Sequence, residues 1–183
     1  TEEKVIRNSL IIDEGDAFNE VLLDKSVNSI KSRGIFKSVN ANTKINKFDN
    51  QKKIIDIIVE ETPTGEIFAG AGTGTSGASF TAGIKENNYL GKGIRLSTNV
   101  SISEEEIKGK FSVVNPNYKN TDRSINTTLE STSSDFLSTG GFKTSRTGFG
   151  IGTGFQQYND LYVNVDISAY YEKLETTSTA SAY

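Results

Sequence analysis

The sequence predicts a small α+β module followed by an antiparallel β-meander of about seven strands, which would form part of a transmembrane β-barrel. The composition changes at Pro63, beyond which lie all of the 17 glycines except Gly15 and Gly34. Helix and strand patterns precede the change, and seven stretches with period-two alternation follow it. We therefore expect two domains, residues 1–62 and residues 63–183.

The first part begins with two helix patterns. Thr1 is predicted to cap the first helix, because acidic residues follow it at the positive end of the helix dipole. Asn19 is predicted to cap the second helix, and Gly34 to end it in a left-handed conformation. The apolar residues between them recur at helical spacing: Leu23, Val27 and Ile30.

Two strand patterns complete the first part, at residues 36–44 and 53–61. The second reads KKIIDIIVEE, and its β-branched residues are typical of a central strand. Two strands make a sheet too small to be stable alone. We expect an additional strand before Thr1 to complete this module.

The second part contains seven candidate strands in succession. Their lengths are close to the roughly 9 to 11 residues that a tilted strand needs to span a bilayer. Short turns rich in aromatic residues and Asn alternate with acidic or Ser/Thr-rich turns. This alternation indicates that the two ends of the meander differ in character. The strands are predicted at 66–74, 78–86, 92–103, 107–116, 122–133, 145–156 and 161–172.

The stretch IRLSTNVSIS, residues 94–103, has one apolar and one polar face as a strand. The apolar face of such a strand contacts either a protein core or lipid. Tyr89, Tyr118 and Tyr158 lie in the three turns expected at one end, and aromatic residues there are typical of the interfacial girdle of a membrane barrel. A soluble β-domain is the alternative, because alternation is a weak signal in any single strand.

Composition excludes several function classes. The chain has no Cys, His, Met or Trp, so a thiolate nucleophile, a Ser/His/Asp triad and the usual zinc sites are impossible. The acidic runs 60–61 and 104–106 lack the spacing of a Ca²⁺ loop. A net charge of −3 without a basic block argues against nucleic-acid binding. We expect no enzyme activity, no cofactor and no metal.

Glycines mark two further features. GTGTSG, residues 72–77, matches the dinucleotide fingerprint, but another strand pattern follows it where that motif requires a helix; a hairpin turn explains it better. Gly70, Gly72 and Gly74 on one face weaken the first meander strand. Either a neighbouring element crowds this face, or the strand is built to separate.

Several linked motifs carry a family resemblance. EGD, RGIF, ETPTG and NNYLGKG occur in this order between residues 14 and 93, followed by FSVVNPNY and GFGIGTGFQQYNDLYVNVDISAYY. This set resembles the BamA family of outer-membrane protein assembly factors, in which POTRA domains precede a barrel. The resemblance covers essentially the whole chain, and it implies a fragment: the last POTRA domain without its first strand, and the first barrel strands.

The resemblance also implies a function and its sites. It implies that the protein folds and inserts unfolded outer-membrane client proteins. The implied partners, besides these clients, are accessory periplasmic lipoproteins and membrane lipid. The implied location is the outer membrane, with the N-terminal domain in the periplasm. The implied barrel seam comprises Glu66, Phe68, Gly70, Gly72 and Gly74. The implied POTRA edge for partner strands comprises Phe36, Lys37, Val39, Asn40 and Asn42. A secretion or translocation pore of the same build, or a passive porin-like barrel, remains an alternative.

Overall fold

The computed structural model describes residues 1–74, 77–158 and 161–177, and it divides into two compact units. The first comprises Thr1–Thr64 with Asn87–Gly93, and the second Gly65–Glu86 with Ile94–Tyr183. The helices are α1 (Glu3–Arg7) and α2 (Glu20–Ser32), with a short 3-10 turn at Tyr118–Asn120. The strands are β1 (Phe36–Asn46), β2 (Asp49–Glu61), β3 (Gly65–Gly74), β4 (Gly77–Tyr89), β5 (Ile94–Ser103), β6 (Glu106–Asn115), β7 (Ser124–Phe136), β8 (Phe142–Tyr158) and β9 (Leu161–Thr176).

Helix α2 begins and ends as its sequence predicts. The Asn19 side chain accepts hydrogen bonds from the backbone N–H groups of Val21 and Leu22, at 2.9 and 3.3 Å. These bonds satisfy two of the donors that a helix start leaves unpaired. Gly34 follows the helix with a φ of +68°, a conformation that a glycine adopts without steric cost.

The expectation that Thr1 caps α1 is wrong. Glu2 occupies the cap position and makes no side-chain capping bond. The Thr1 hydroxyl instead accepts a hydrogen bond from the Asn88 side chain at 2.8 Å. A contact from a distant segment of the chain therefore replaces the local cap.

The core of the first unit lies between the helices and the β1–β2 hairpin. Its buried members are Val5, Ile30, Ile35, Phe36 and Val39. A buried serine, Ser26, holds the connection between the helices. The Ser26 hydroxyl donates to the Leu22 carbonyl and accepts from the Ile11 N–H, both at 2.8 Å, so a polar side chain is buried with its hydrogen bonds made.

Strands β1 and β2 are longer than predicted. Part of the polar segment INKFDNQ, expected as a connection, belongs to the ladder: Ile45 pairs with Lys53 and, after a register irregularity, Asn46 pairs with Asp49, which leaves residues 47 and 48 as the turn. The ladder pairs backbone groups whatever the side chains are, and exposed polar side chains at this end cost nothing. Hydrophobic patterning therefore underestimates the length of such strands.

The second unit contains a seven-stranded antiparallel sheet with the strand order β3-β4-β5-β6-β7-β8-β9. This meander confirms the predicted succession of seven strands. The largest difference lies between β7 and β8, where a predicted Ser/Thr-rich connection is mostly strand and the rings of Phe136 and Phe142 pack 5.3 Å apart at its end. Gly74 pairs with Gly77 across the β3–β4 turn; residues 75 and 76 of the GTGTSG motif lie outside the described residues.

The seven-stranded sheet has one apolar and one polar face. Cross-strand pairs such as Phe111 with Leu129 and Leu129 with Phe149 keep apolar residues on the same face in successive strands. Twelve of the large apolar side chains on this face of the described strands are between 41% and 83% exposed. They are Ile67, Phe80, Ile84, Val100, Ile102, Ile107, Phe111, Leu129, Phe149, Ile151, Val165 and Ile167.

The opposite face is polar and rich in glycine. The hydroxyl of Thr81 donates to that of Ser101 at 3.1 Å across this face, and Lys110 pairs with Glu130 in the strand register. The segregation predicted for residues 94–103 therefore extends over all seven strands. None of the helices in the described residues has the length and apolar character needed to cross a membrane.

Replacing Asn19 with Ala is expected to destabilise α2 by about 1 kcal/mol, because two N–H groups lose their side-chain acceptor. Amide hydrogen exchange in the first two turns of α2 measures the effect. The matched control is Asn28→Ala on the exposed side of the same helix, where Ala has the higher helix propensity. Equal exchange rates in the two variants would contradict a capping role for Asn19.

Candidate functional site

Strand β3 is the first strand of the seven-stranded sheet. Within the described ranges it pairs only with β4, in a continuous register from Gly65 with Glu86 to Gly74 with Gly77. Its other edge presents backbone N–H and C=O groups that have no partner strand in this part of the chain. An edge of this kind is able to pair with another strand.

The glycines of β3 are not required by crowding. A Cβ atom built on Gly70 or Gly74 would have no neighbour within 4 Å, and one on Gly72 would lie 3.8 Å from the Ser79 Oγ. Their backbone is extended, so other residues fit the conformation. This observation excludes the crowding explanation within the described structure and leaves a strand of low intrinsic stability.

The glycines of β8 have a different cause. A Cβ on Gly148 would collide with the Tyr170 ring, and one on Gly152 with the Asp166 carboxylate of β9. The Arg146 guanidinium lies 3.8 Å from the centre of that Tyr170 ring. Gly148 and Gly152 of β8 therefore make room for large side chains of the next strand, whereas Gly70, Gly72 and Gly74 of β3 accommodate nothing.

The other two residues of the predicted seam lie on the same face of β3 as its glycines. Glu66 pairs with Lys85 in the register, and Phe68 pairs with Gly83. The Phe68 ring fills the space above Gly83, and the Lys85 ammonium lies 5.2 Å from the ring centre. Contacts with β4 are therefore concentrated in the first half of β3, and the glycine half has few.

The predicted POTRA edge lies on β1, which pairs only with β2 among the described residues. Phe36 and Val39 are buried in the core, Val39 to 2% exposure, whereas Lys37, Asn40 and Asn42 are exposed. A register irregularity just after Phe36 interrupts strict alternation. Lys37 donates to Glu60 at 2.8 Å. A partner strand at this edge would meet the backbone and the polar side chains, because the apolar ones serve the core.

The three predicted interfacial tyrosines lie at one end of the meander. Tyr89 ends β4, Tyr158 ends β8, and Tyr118 follows β6 in the 3-10 turn. These three strands run in the same direction because the sheet is antiparallel and consecutive. All three tyrosine side chains are exposed. Residues 159 and 160 of the turn after Tyr158 lie outside the described residues.

Sequence reasoning missed the packing of the β4–β5 turn, residues 87–93, within the first unit. The Glu2 N–H donates to the Gly91 carbonyl at 2.7 Å. The Asn88 side chain donates to the Thr1 hydroxyl and accepts from the Gly93 N–H, both at 2.8 Å. This turn is therefore held against the start of α1 by its own backbone and by one amide side chain.

Gly93 is the most constrained residue of this turn. Its φ is +66°, and a Cβ would lie 3.0 Å from Val5 and 3.3 Å from the Arg33 guanidinium. Both the backbone conformation and the close packing require glycine. The glycines of NNYLGKG are the only signal in the sequence, and they indicate a turn without revealing what packs on it.

Helix α1 carries a surface network of charges. Arg7 donates to Glu3 at 2.6 Å and to Glu14 at 2.8 Å, and these carboxylates, Glu14 first, raise the pKa of Arg7 above its ordinary value. Exposed ion pairs of this kind contribute little to stability. In the described part of the chain, no group of three or more acidic side chains has a metal-binding arrangement.

These units define a class of protein, and two family profiles match them. A profile of the Omp85 superfamily domain matches residues 88–183, and the POTRA profile, described as a surface antigen variable number repeat, matches residues 1–62. The chain belongs to the Omp85 superfamily. Family and relatives indicate an outer-membrane protein.

Among individual proteins, the chain is similar to BamA. It is 30% identical over 101 residues to the outer membrane protein assembly factor BamA of Buchnera aphidicola, a match that covers 55% of this chain and 16% of that protein. The crystal structure of BamA from Haemophilus ducreyi lacking POTRA domains 1–3 superposes with a TM-score of 0.82 at 21% identity, over 96% of this chain and 34% of that one.

A second solved structure has a similar fold. CdiB from Acinetobacter baumannii superposes with a TM-score of 0.58 at 12% identity, over 98% of this chain and 37% of that chain. In every comparison the chain spans well under half of the relative. At these identities the two structures support the fold alone.

Replacing Gly70 and Gly72 together with Ala is expected to strengthen β3 by about 0.5 to 1 kcal/mol for each glycine, because the unfolded chain loses conformational freedom and no atom obstructs the new methyl groups. Slower amide exchange across β3 and β4 would report the gain. Gly109→Ala on the interior strand β6, also without a neighbour within 4 Å, is the control for a methyl group away from the edge. Faster exchange in the double variant would contradict the absence of crowding.

Replacing Gly93 with Ala is expected to release residues 87–93 from α1, since the residue combines a positive φ with close contacts. Amide exchange at Gly91 and Gly93 should accelerate by at least about tenfold, which corresponds to roughly 1.4 kcal/mol. Gly34→Ala is the matched control, because Gly34 has a φ of +68° and no neighbour within 4 Å. It should leave the 87–93 segment protected; equal acceleration in both variants would show that backbone strain, and not packing, is the cause.

Proposed function

We propose that this chain is the POTRA-to-barrel segment of an outer-membrane assembly factor that folds and inserts β-barrel client proteins. The observation that carries the proposal is the 30% identity over 101 residues to the outer membrane protein assembly factor BamA of Buchnera aphidicola. The superposition on the Haemophilus ducreyi BamA structure supports the fold over 96% of the chain. That match includes both the helical module and the seven-stranded sheet. The proposal involves no catalytic residue, cofactor or metal.

In this proposal the apolar face of the sheet contacts the lipid chains, and the polar, glycine-rich face lines the barrel interior. Twelve exposed large apolar side chains on one face support it, because soluble proteins rarely leave so large an apolar surface in water. Tyr89, Tyr118 and Tyr158 then lie at the periplasmic interface, where an amphipathic aromatic ring is favoured. The first unit is on the periplasmic side.

The proposed seam is β3, with Glu66, Phe68, Gly70, Gly72 and Gly74. Its second half lacks side-chain contacts that would oppose separation from a neighbouring strand. A client strand would pair with the exposed backbone edge while β3 remains joined to β4. Templating at a weak edge needs no energy source, because backbone hydrogen bonds to the client replace those that are lost.

The free edge of β1 is the second proposed contact. An extended segment of a client or of an accessory lipoprotein would add to the β1–β2 sheet there. The exposed Lys37, Asn40 and Asn42 keep this edge polar, which limits indiscriminate pairing. Specificity would come from these side chains, since Phe36 and Val39 are occupied in the core.

The decisive experiment reconstitutes the intact protein that contains this chain in liposomes and adds an unfolded β-barrel client. We expect the client to fold faster than in empty liposomes, measured by its heat-resistant mobility in electrophoresis. Equal rates would contradict the assembly proposal. A secretion pore of the same superfamily would transport a passenger protein without accelerating client folding, whereas a passive barrel would do neither.

A tether tests the seam itself. This chain has no cysteine, so Gly72→Cys introduces its only thiol. A second cysteine is placed on the last strand of the intact barrel, and oxidation joins the two as a disulfide. Oxidation is expected to abolish client folding, and reduction to restore it. Gly72→Cys alone is the matched control. Unchanged activity in the oxidised protein would show that the seam does not open.

A further inference from the structure

The tip of the β1–β2 hairpin has a feature that the fold does not explain. Phe48 occupies the two-residue turn and its side chain is 99% exposed. The Phe48 N–H donates to the Asn46 side chain at 2.9 Å, so the turn is fixed while the ring extends into solvent. Turns favour small polar residues, and an aromatic ring in water gains no packing energy.

The same tip concentrates positive charge. Residues 44–53 contain four lysines and one acidic residue in a chain whose net charge is −3. Lys44 pairs with Asp56 and Lys52 with Asp49, at 2.7 and 3.2 Å. Lys47 makes no ion pair among the described residues, and the Lys53 ammonium lies 3.7 Å from the centre of the Phe18 ring. The ion pairs therefore leave the tip positively charged.

Apolar side chains alternate with these lysines. Ile45 lies opposite Lys53 and Ile54 lies opposite Lys44 in the register, and both isoleucines are exposed. Cross-strand neighbours of this kind are in side-chain contact range, so the lysine stems extend beside apolar surface. Each face of the hairpin near its tip therefore carries one exposed isoleucine beside a lysine, and Phe48 protrudes at the end.

We propose that this tip, residues 44–53, docks on an anionic phospholipid surface. Phe48 and Ile45 would enter the boundary between headgroups and acyl chains, and the lysines would bind the phosphates, which is the arrangement that favours interfacial binding. The shape selects this occupant. A protein partner must offer a pocket to a protruding ring, whereas a bilayer accepts a convex tip without one.

The chain contains no tryptophan, so Phe48→Trp places its only tryptophan at the tip as a fluorescent probe. The full chain with this substitution is compared in nanodiscs of phosphatidylcholine alone and in nanodiscs that also contain phosphatidylglycerol. We expect a blue shift of the emission only with phosphatidylglycerol, reversed by high salt because screening weakens charge attraction. Lys47→Gln and Lys52→Gln together, in the same Phe48→Trp background, should lower the apparent affinity for the anionic nanodiscs by about fivefold for each lysine.

Val21→Trp is the matched control, because Val21 is exposed on α2 in the same unit and lies outside the tip; its emission should not depend on the lipid. Three outcomes would overturn the proposal: no shift at residue 48, an equal shift in neutral nanodiscs, or an equal shift on adding polyglutamate without anionic lipid, which would indicate an acidic protein partner. The readout is local to residue 48 and involves no client, so its failure is distinct from failure of the assembly proposal.

Discussion

The period-two register of the seven-stranded sheet is the constraint on which the rest of the second unit depends. A slip of one residue in any strand would move its apolar side chains to the polar face. The register avoids this across successive strands, as the row Phe111, Leu129 and Phe149 shows. One continuous apolar surface and one continuous polar surface result, and the positions of the tyrosines and the glycines follow from the same register.

Glycine has two opposite roles on the polar face. On β8 it is a steric necessity, because the Tyr170 ring and the Asp166 carboxylate of β9 occupy the space that a Cβ atom would take. On β3 it has no steric role and lowers the stability of the strand. The same residue type therefore accompanies close packing in the β8–β9 pair and weakness in β3, and this contrast gives the proposed seam its physical basis.

The first unit depends on contacts between distant parts of the chain. Its core is small, and a module of this size gains little stability from burial alone. Buried Ser26 fixes the segment between the helices. Residues 87–93, which are distant in sequence, hydrogen-bond to the start of α1.

The sequence by itself determined the elements that a few neighbouring residues encode: the Asn19 cap, the Gly34 stop, the seven alternating strands and the separation of apolar from polar faces. The tertiary structure decided four further features: the extension of β1 and β2 through polar residues, the hydrogen bond of the Thr1 hydroxyl with Asn88, the packing of Gly93 on Val5, and which glycines are crowded. Local patterns arise because side-chain direction follows backbone geometry residue by residue. The other features depend on backbone pairing and on side chains far apart in sequence, whose proximity only the folded path of the chain establishes.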